Sequence, residues 1–512
     1  MSRTVNALKN TRVAMIFYVV DMLLGFISRK VFIDYIGAEV LGLNTTANNL
    51  LQFLNLAELG ISAAVAFTLY APLADNDKTT IKEILQVQGW LYRRVALMVM
   101  LGAAVLMVFF PWFFAKSDLP LWYSFASFGV LLYTSLLTYF FNYKQIILTA
   151  SQQEYKVMLS YKSVMVLKSV AQILAMWQLS DGYVWWLVIQ VVFGTLATIN
   201  LCRCVDREFP YLKNLSLKIP KSLRQKHSVI IVKIRQLFIH KFAAYILTQT
   251  SPLVIYGFTT LTMVAIYGNY MLIVFGVTML LQSVFNSVSA GVGDLVASKD
   301  DNRIWMVFKE LFTSRFLIAT GCCFCIYMFA NSFIRLWVGA DMLLDNSTLL
   351  VIVLIAYISV FRTVVDSFIG AYGLFADVWA PLAESTLNIS LSIVLGKFFG
   401  ITGILSGVLI SLVLIVCIWK PIYLFHWAMK RSILQYLKMY GVHILALSLT
   451  VGICIVVLPL ISLPATNFFY WAIDALMGFV IFMVTECGLL LLFTKEMRLF
   501  IHRMYHLFLS KS

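Results

Sequence analysis

Residues 43–65 read LNTTANNLLQFLNLAELGISAAV, and polar side chains recur through them at steps of three and four: Asn44, Asn48, Gln52, Asn55, Glu58 and Ser62. At about 100° per residue these positions fall within an arc of about 120° on one helix, and the opposite face stays apolar. One or two amides could serve only to bond neighbouring helices, at about 0.6–2 kcal/mol each. A whole polar face fits the wall of a hydrophilic cavity better. The stretch therefore predicts a helix that crosses lipid on one side and faces a polar interior on the other.

The rest of the chain supplies the lipid-facing context. Its 512 residues are 61% hydrophobic and 12% charged, whereas the apolar share of a soluble domain is about one half. Hydrophobic runs long enough to cross a hydrocarbon core of about 30 Å recur from end to end. Read against Pro, Gly and charge breaks, they predict an all-α polytopic membrane protein with about fourteen spans. The first six cover roughly 13–36, 40–70, 90–114, 121–149, 157–178 and 182–205, and the next six roughly 238–258, 262–292, 305–335, 346–371, 381–399 and 401–426. A last pair covers roughly 438–460 and 467–493. The expected organisation is a six-helix lobe over 1–206, a basic connector over 207–237, a second six-helix lobe over 238–430, and an extra pair with a basic tail over 431–512. Arg3, Lys9 and Arg12 lead into an apolar segment without a small-residue cleavage site, so a retained first span is expected rather than a cleaved signal.

A net charge of +15 could signal a nucleic-acid partner, but the placement of Lys and Arg argues for topology. Alternate connections hold Lys78, Lys82, Arg93 and Arg94, then Lys156, then the segment Arg203 to Arg235, then Lys299, Arg303 and Lys309, then Lys430 and Arg431, with little on the other side beyond Lys116, Arg335 and Lys397. This alternation is the positive-inside pattern, and it puts both termini in the cytoplasm. The turn near Asp377 is its weak point, inside by parity yet without a basic residue. No nucleic-acid partner is expected. The connector's charge suits anionic headgroups, and Val229 to Ile239 could lie in the interface plane. LADNDKTTIKEIL after the second span is faintly echoed by ASKDDNRIWMVFKEL after the eighth, and an even number of spans per block sets both blocks in one orientation, which implies a cavity between them. Of the eight cysteines, Cys202 with Cys204 and Cys322 with Cys323 and Cys325 cluster, and they read as small buried hydrophobes, so no metal or other cofactor is expected.

Ionisable groups deep in a span are costly and normally face a wet cavity or a partner. Arg29 follows some sixteen apolar-rich residues and is read as a cavity residue. Lys30 either faces the cavity or pairs with Asp34 one turn on. Lys168, Lys241, Arg362, Glu384 and Asn388 are further deep candidates, with Arg362 either binding substrate or pairing with Asp366. Cationic side chains in such a cavity would hold a diphosphate, Arg by paired hydrogen bonds and Lys as a point charge.

Three stretches resemble a known family: GFISRKVFIDYIGAEVLGLNTTANNLLQFLNLAELGISAAVAFTLYAPLADND from Gly25, IYGNY from Ile266, and AYGLFADVWAPLAESTLNISLSIVL from Ala371 with GITGILSG from Gly400. They are similar to the polysaccharide transporter family, the O-antigen flippases, within the multidrug/oligosaccharidyl-lipid/polysaccharide exporter superfamily. The resemblance implies fourteen helices in two lobes, alternating access, and transport of an undecaprenyl-diphosphate-linked repeat unit to the periplasmic leaflet. It further implies a cavity role for Arg29 within GFISR and for Lys241 within IHKFAAYIL. The acidic residue that often follows in the seventh span is replaced around Gln249, Ser251 and Pro252, so a coupling ion, H+ or Na+, is left open. The implied partners are the lipid-linked oligosaccharide, membrane lipids and other polysaccharide-assembly proteins. A drug exporter of the same superfamily, or a membrane polymerase or ligase, are the rival readings. Every outward loop is short and no P-loop or HExxH helix is present, which weighs against an enzyme.

Overall fold

A computed structural model describes residues 3–58, 60–213, 215, 220–234, 250–374, 376, 377 and 379–509. The described residues are almost entirely helical. Hydrocarbon leaves no other way to satisfy backbone hydrogen bonds without closing a barrel. Ten helices among them are long and apolar enough to cross a membrane, and the protein is an all-α multi-pass membrane protein. Of the intervals expected to span, 238–258 lies mostly outside the described residues, and with it Lys241.

The chain divides into two compact units, Met1–Ala265 and Ile266–Ser512. The first begins with α1 (Arg3–Tyr35), α2 (Ala38–Leu54), α3 (Ile61–Ala74) and α4 (Lys78–Val108). It continues with α5 (Leu121–Phe140), α6 (Glu154–Gln178) and α7 (Gly182–Glu208), then the short α8 (Lys221–Lys226) and α9 (Ser251–Phe258). After α10 (Leu261–Ala297), which runs across the division, the second unit holds α11 (Asp301–Val338), α12 (Asn346–Phe361), α13 (Thr363–Ala371) and α14 (Trp379–Leu412). It ends with α15 (Ile433–Ile461), α16 (Phe468–Phe493) and α17 (Lys495–Leu509).

The echo between LADND and ASKDD has a structural counterpart. Asp77 caps α4 by accepting from the backbone N–H groups of Thr79 and Thr80, and Asp300 caps α11 by accepting from Asn302 and Arg303. The residue before each cap is left-handed, Asn76 at φ 53° and Lys299 at φ 57°. A carboxylate there satisfies amide groups that the first helical turn leaves orphaned. The hydroxyl and amide of Thr80 hold the Asp77 carboxyl below the usual carboxylate range.

One expected span is corrected. The sequence predicts one continuous helix over 40–70, but α2 tightens into a 3-10 turn over Asn55–Glu58 and α3 restarts after Gly60, whose φ is 92°. A left-handed residue cannot continue a right-handed helix. The single-helix arc drawn through Ser62 therefore stops at the break.

The spans expected at 381–399 and 401–426 are joined with almost no loop. Gly400, at φ 56° and ψ −136°, turns the chain inside α14. The two arms then touch through small residues: an added Cβ at Gly403 would meet the Leu395 carbonyl oxygen at 2.1 Å, and one at Gly407 the Ser392 backbone nitrogen at 2.3 Å. The Ser392 hydroxyl donates to the Ile404 carbonyl at 2.8 Å. This is small-xxx-small packing, in which close backbone approach replaces a hydrophobic driving force that lipid does not provide. Gly407→Ala forces backbone against backbone, and detergent-purified protein should lose about 1–3 kcal/mol of stability, or more if the arms separate. An unchanged melting temperature would contradict the contact.

Candidate functional site

The polar stripe divides into parts that do different things. Near the start of α2, the Asn44 carbonyl oxygen accepts from the Ser127 hydroxyl at 2.6 Å and from the Tyr183 hydroxyl at 3.3 Å, joining α2 to α5 and α7. Farther along, Asn48, Gln52, Asn55 and Glu58 line a cavity of about 350 Å³ within the first unit. Thr134, Ser135, Thr138 and Tyr139 of α5, Tyr161 of α6 and Gln190 of α7 complete its polar lining.

The 3-10 turn gives this wall its shape, because it holds Asn55 and Glu58 against two different neighbours. The Asn55 carbonyl oxygen accepts from the Tyr139 hydroxyl at 2.8 Å and the Ser135 hydroxyl at 3.2 Å. Glu58 accepts from the Tyr92 hydroxyl of α4 at 2.7 Å, with Ser62 beside it at 3.4 Å. On the opposite wall, the Gln190 carbonyl oxygen accepts from the Lys168 ammonium at 2.8 Å and from Gln172 at 3.3 Å. These contacts fix the rim. Asn48, which is exposed, and Gln52, half-buried, make no side-chain hydrogen bond among the described residues. Their amides are offered to whatever enters.

Glu58 is the one formally charged side chain among the lining residues. Arg29, Lys30 and Lys168 are not among these lining residues. Arg29 donates to the Ala265 carbonyl at 2.8 Å. Lys30 pairs with Asp34 at 2.8 Å, with both side chains well exposed. Lys168 stands behind Gln190 rather than in the lining. An exposed i, i+4 pair contributes about 0.3–0.5 kcal/mol, so Lys30→Gln should leave the melting temperature near the parent value. A fall of many degrees in that variant would contradict the exposed pairing.

In the second unit, Arg362 occupies the junction of α12 and α13. Its guanidinium pairs with Asp366 at 2.9 Å and lies 3.7 Å from Glu384, while Lys420 reaches the other Asp366 oxygen at 2.6 Å. Glu384 and Asn388, one turn apart on α14, are 1% and 2% exposed. Two cations balance two carboxylates. Lys420 follows a π-helical stretch, Val413–Trp419, that widens the helix before it.

Several residues of these networks were not anticipated. Tyr92, Tyr139, Gln190 and Lys420 come from spans distant in sequence from the groups they meet. Arg315 had a visible signal, an arginine deep in the expected 305–335 span. It is 2% exposed, donates to the Phe285 carbonyl at 3.3 Å and the Thr363 hydroxyl at 3.2 Å, and sits over the Phe285 ring. Glu486 is likewise fully buried and accepts from the Thr450 hydroxyl.

No family model matches the sequence, and no curated protein matches it. Solved structures do share its architecture. The lipid II flippase MurJ in an inward closed conformation superposes with a TM-score of 0.63 at 14% identity, covering 93% of this chain and 99% of that one. An inward-facing multidrug resistance MATE family transporter of the MOP superfamily gives 0.62 at 12% identity, covering 80% of this chain and 95% of that one. This multi-pass membrane chain therefore has the all-helical fold of those two transporter structures, carried by a sequence that has diverged far from both.

Proposed function

We propose that this protein is a non-enzymatic flippase that moves undecaprenyl-diphosphate-linked oligosaccharide repeat units from the cytoplasmic to the periplasmic leaflet of a bacterial inner membrane, by alternating access, for surface polysaccharide assembly. The observation that carries this reading is the amide- and hydroxyl-lined cavity at Asn48, Gln52, Asn55 and Glu58 inside a membrane unit. Such donors and acceptors match sugar hydroxyls, and lipid would exclude them without a function to serve. The likeness in fold to a lipid II flippase supports the same reading. The polyprenyl tail stays in the bilayer while the glycan passes through the polar interior. Net direction comes from an ion gradient, the membrane potential or removal of product, since a cavity alone favours neither leaflet.

A second reading has its own observation. Glu58, a lone carboxylate backed by Tyr92 in the cavity wall, would suit an organic cation, and the likeness to a multidrug transporter fits that. Deletion of the gene separates the two. A flippase loses its repeat unit from the cell surface while the lipid-linked precursor accumulates on the inner leaflet. Unchanged surface polysaccharide with raised sensitivity to organic cations would establish the exporter instead.

A further inference from the structure

A second cavity, of about 340 Å³, lies farther along the same helices of the first unit. Gly194 lines the polar cavity and Leu201 this one, about 10 Å farther along α7 at 1.5 Å per residue. Its chemistry is different. Arg93 of α4, Lys144 of the turn after α5, and Lys213 beyond α7 face it against a single carboxylate, Asp206. Lys144 is held in place by the Leu212 carbonyl at 2.9 Å and lies 3.9 Å from Asp206. Arg93 and Lys213 are exposed and, among the described residues, have no carboxylate partner. The remaining wall is apolar, with Phe141 and Leu201 among its members.

We propose that this pocket holds the phosphate group of a membrane lipid whose headgroup carries net negative charge, with the chain of that lipid against the apolar wall. Three cations around one carboxylate leave an excess of positive charge that a phosphate headgroup of net negative charge satisfies and a zwitterionic one, whose own ammonium offsets its phosphate, does not. The arginine can form two parallel hydrogen bonds to it, and the lysines add point charges. The basic connections at this end of the unit put the pocket at the level of the cytoplasmic headgroups, where a basic cleft between helices meets anionic lipid. This site is separate from the sugar-matching cavity, which lacks a lining cation. Two lipids present the required chemistry there, the polyprenyl diphosphate carrier and bulk phosphatidylglycerol.

The test uses full-length protein in phosphatidylcholine vesicles doped with a photoreactive polyprenyl diphosphate, with labelled peptides mapped by mass spectrometry. Labelling is expected on the segments 140–145 and 201–215, and Arg93→Gln with Lys213→Gln should cut it about tenfold or more, the change that follows loss of a charge-assisted contact. Lys213→Arg alone should retain it. Competition by unlabelled phosphatidylglycerol identifies a bulk anionic lipid as the occupant; competition by unlabelled polyprenyl diphosphate alone identifies the carrier. Equal labelling by a photoreactive polyprenol without phosphate, or labelling unaltered in the double variant, overturns the proposal. Transport without labelling here would sink this site and leave the flippase reading intact, whereas labelling without transport would do the reverse.

Discussion

Replacing Arg362 by Met should cost the protein about 3–5 kcal/mol, the range found when one partner of a buried ion pair is removed. Asp366 would keep Lys420 at 2.6 Å, but Glu384, 1% exposed, would lose its nearby cation. The penalty therefore arises mainly at Glu384, and Glu384→Gln in the Arg362→Met background should recover much of it. Thermal unfolding of the purified parent, both single variants and the double variant measures this coupling directly. If Arg362 instead serves substrate alone, the single variant would melt with the parent and lose only transport. That outcome would move Arg362 from a structural junction into the binding site.

The opposite signature is expected at the polar cavity. Asn48→Leu and Gln52→Leu remove amides that make no hydrogen bond among the described residues, so melting temperature should stay near that of the parent. A sugar hydroxyl left facing a methyl group forfeits about 1–3 kcal/mol, so glycan affinity should fall by about tenfold for each amide lost. Asn55→Ala behaves differently because its carbonyl oxygen already holds Tyr139 and Ser135, and both stability and binding should drop. Binding of the soluble glycan portion, measured by calorimetry on each variant, separates the two classes. Unaltered affinity in both leucine variants would show that the amides serve packing.

These contrasts follow the line between what the sequence shows and what only the fold reveals. Spans are legible because crossing lipid demands long uninterrupted apolar runs, and the helices over Gly182–Glu208, Asp301–Val338 and Ile433–Ile461 contain the runs expected at 182–205, 305–335 and 438–460. The polar stripe was legible for the same local reason, since one helix repeats on itself. Its interruption was not. The apolar and polar periods run on through residues 55–60, and only the backbone at Gly60 reveals the turn. The lining of the cavity depends on side chains from α5, α6 and α7 that approach through packing, which no periodicity within α2 encodes. Likewise the Arg362–Asp366 pair is a one-turn neighbour visible in the sequence, whereas Lys420 completes the network from 54 positions away. Arg315 was visible as a charge in a span; its carbonyl and hydroxyl partners, which let it stay buried, belong to the fold.

The activity we propose for this chain is to carry a lipid-linked glycan across a bilayer through a polar interior. Vesicles containing the purified protein and a fluorescent polyprenyl-diphosphate oligosaccharide in one leaflet test it most directly, with an impermeant glycosidase reporting arrival in the other. The account predicts that the parent exposes the glycan well above the rate of protein-free vesicles, and that the combined Asn48→Leu, Gln52→Leu variant, folded and equally abundant, falls to that background. Exposure by the parent no faster than in protein-free vesicles, or by the variant as fast as the parent, would contradict it.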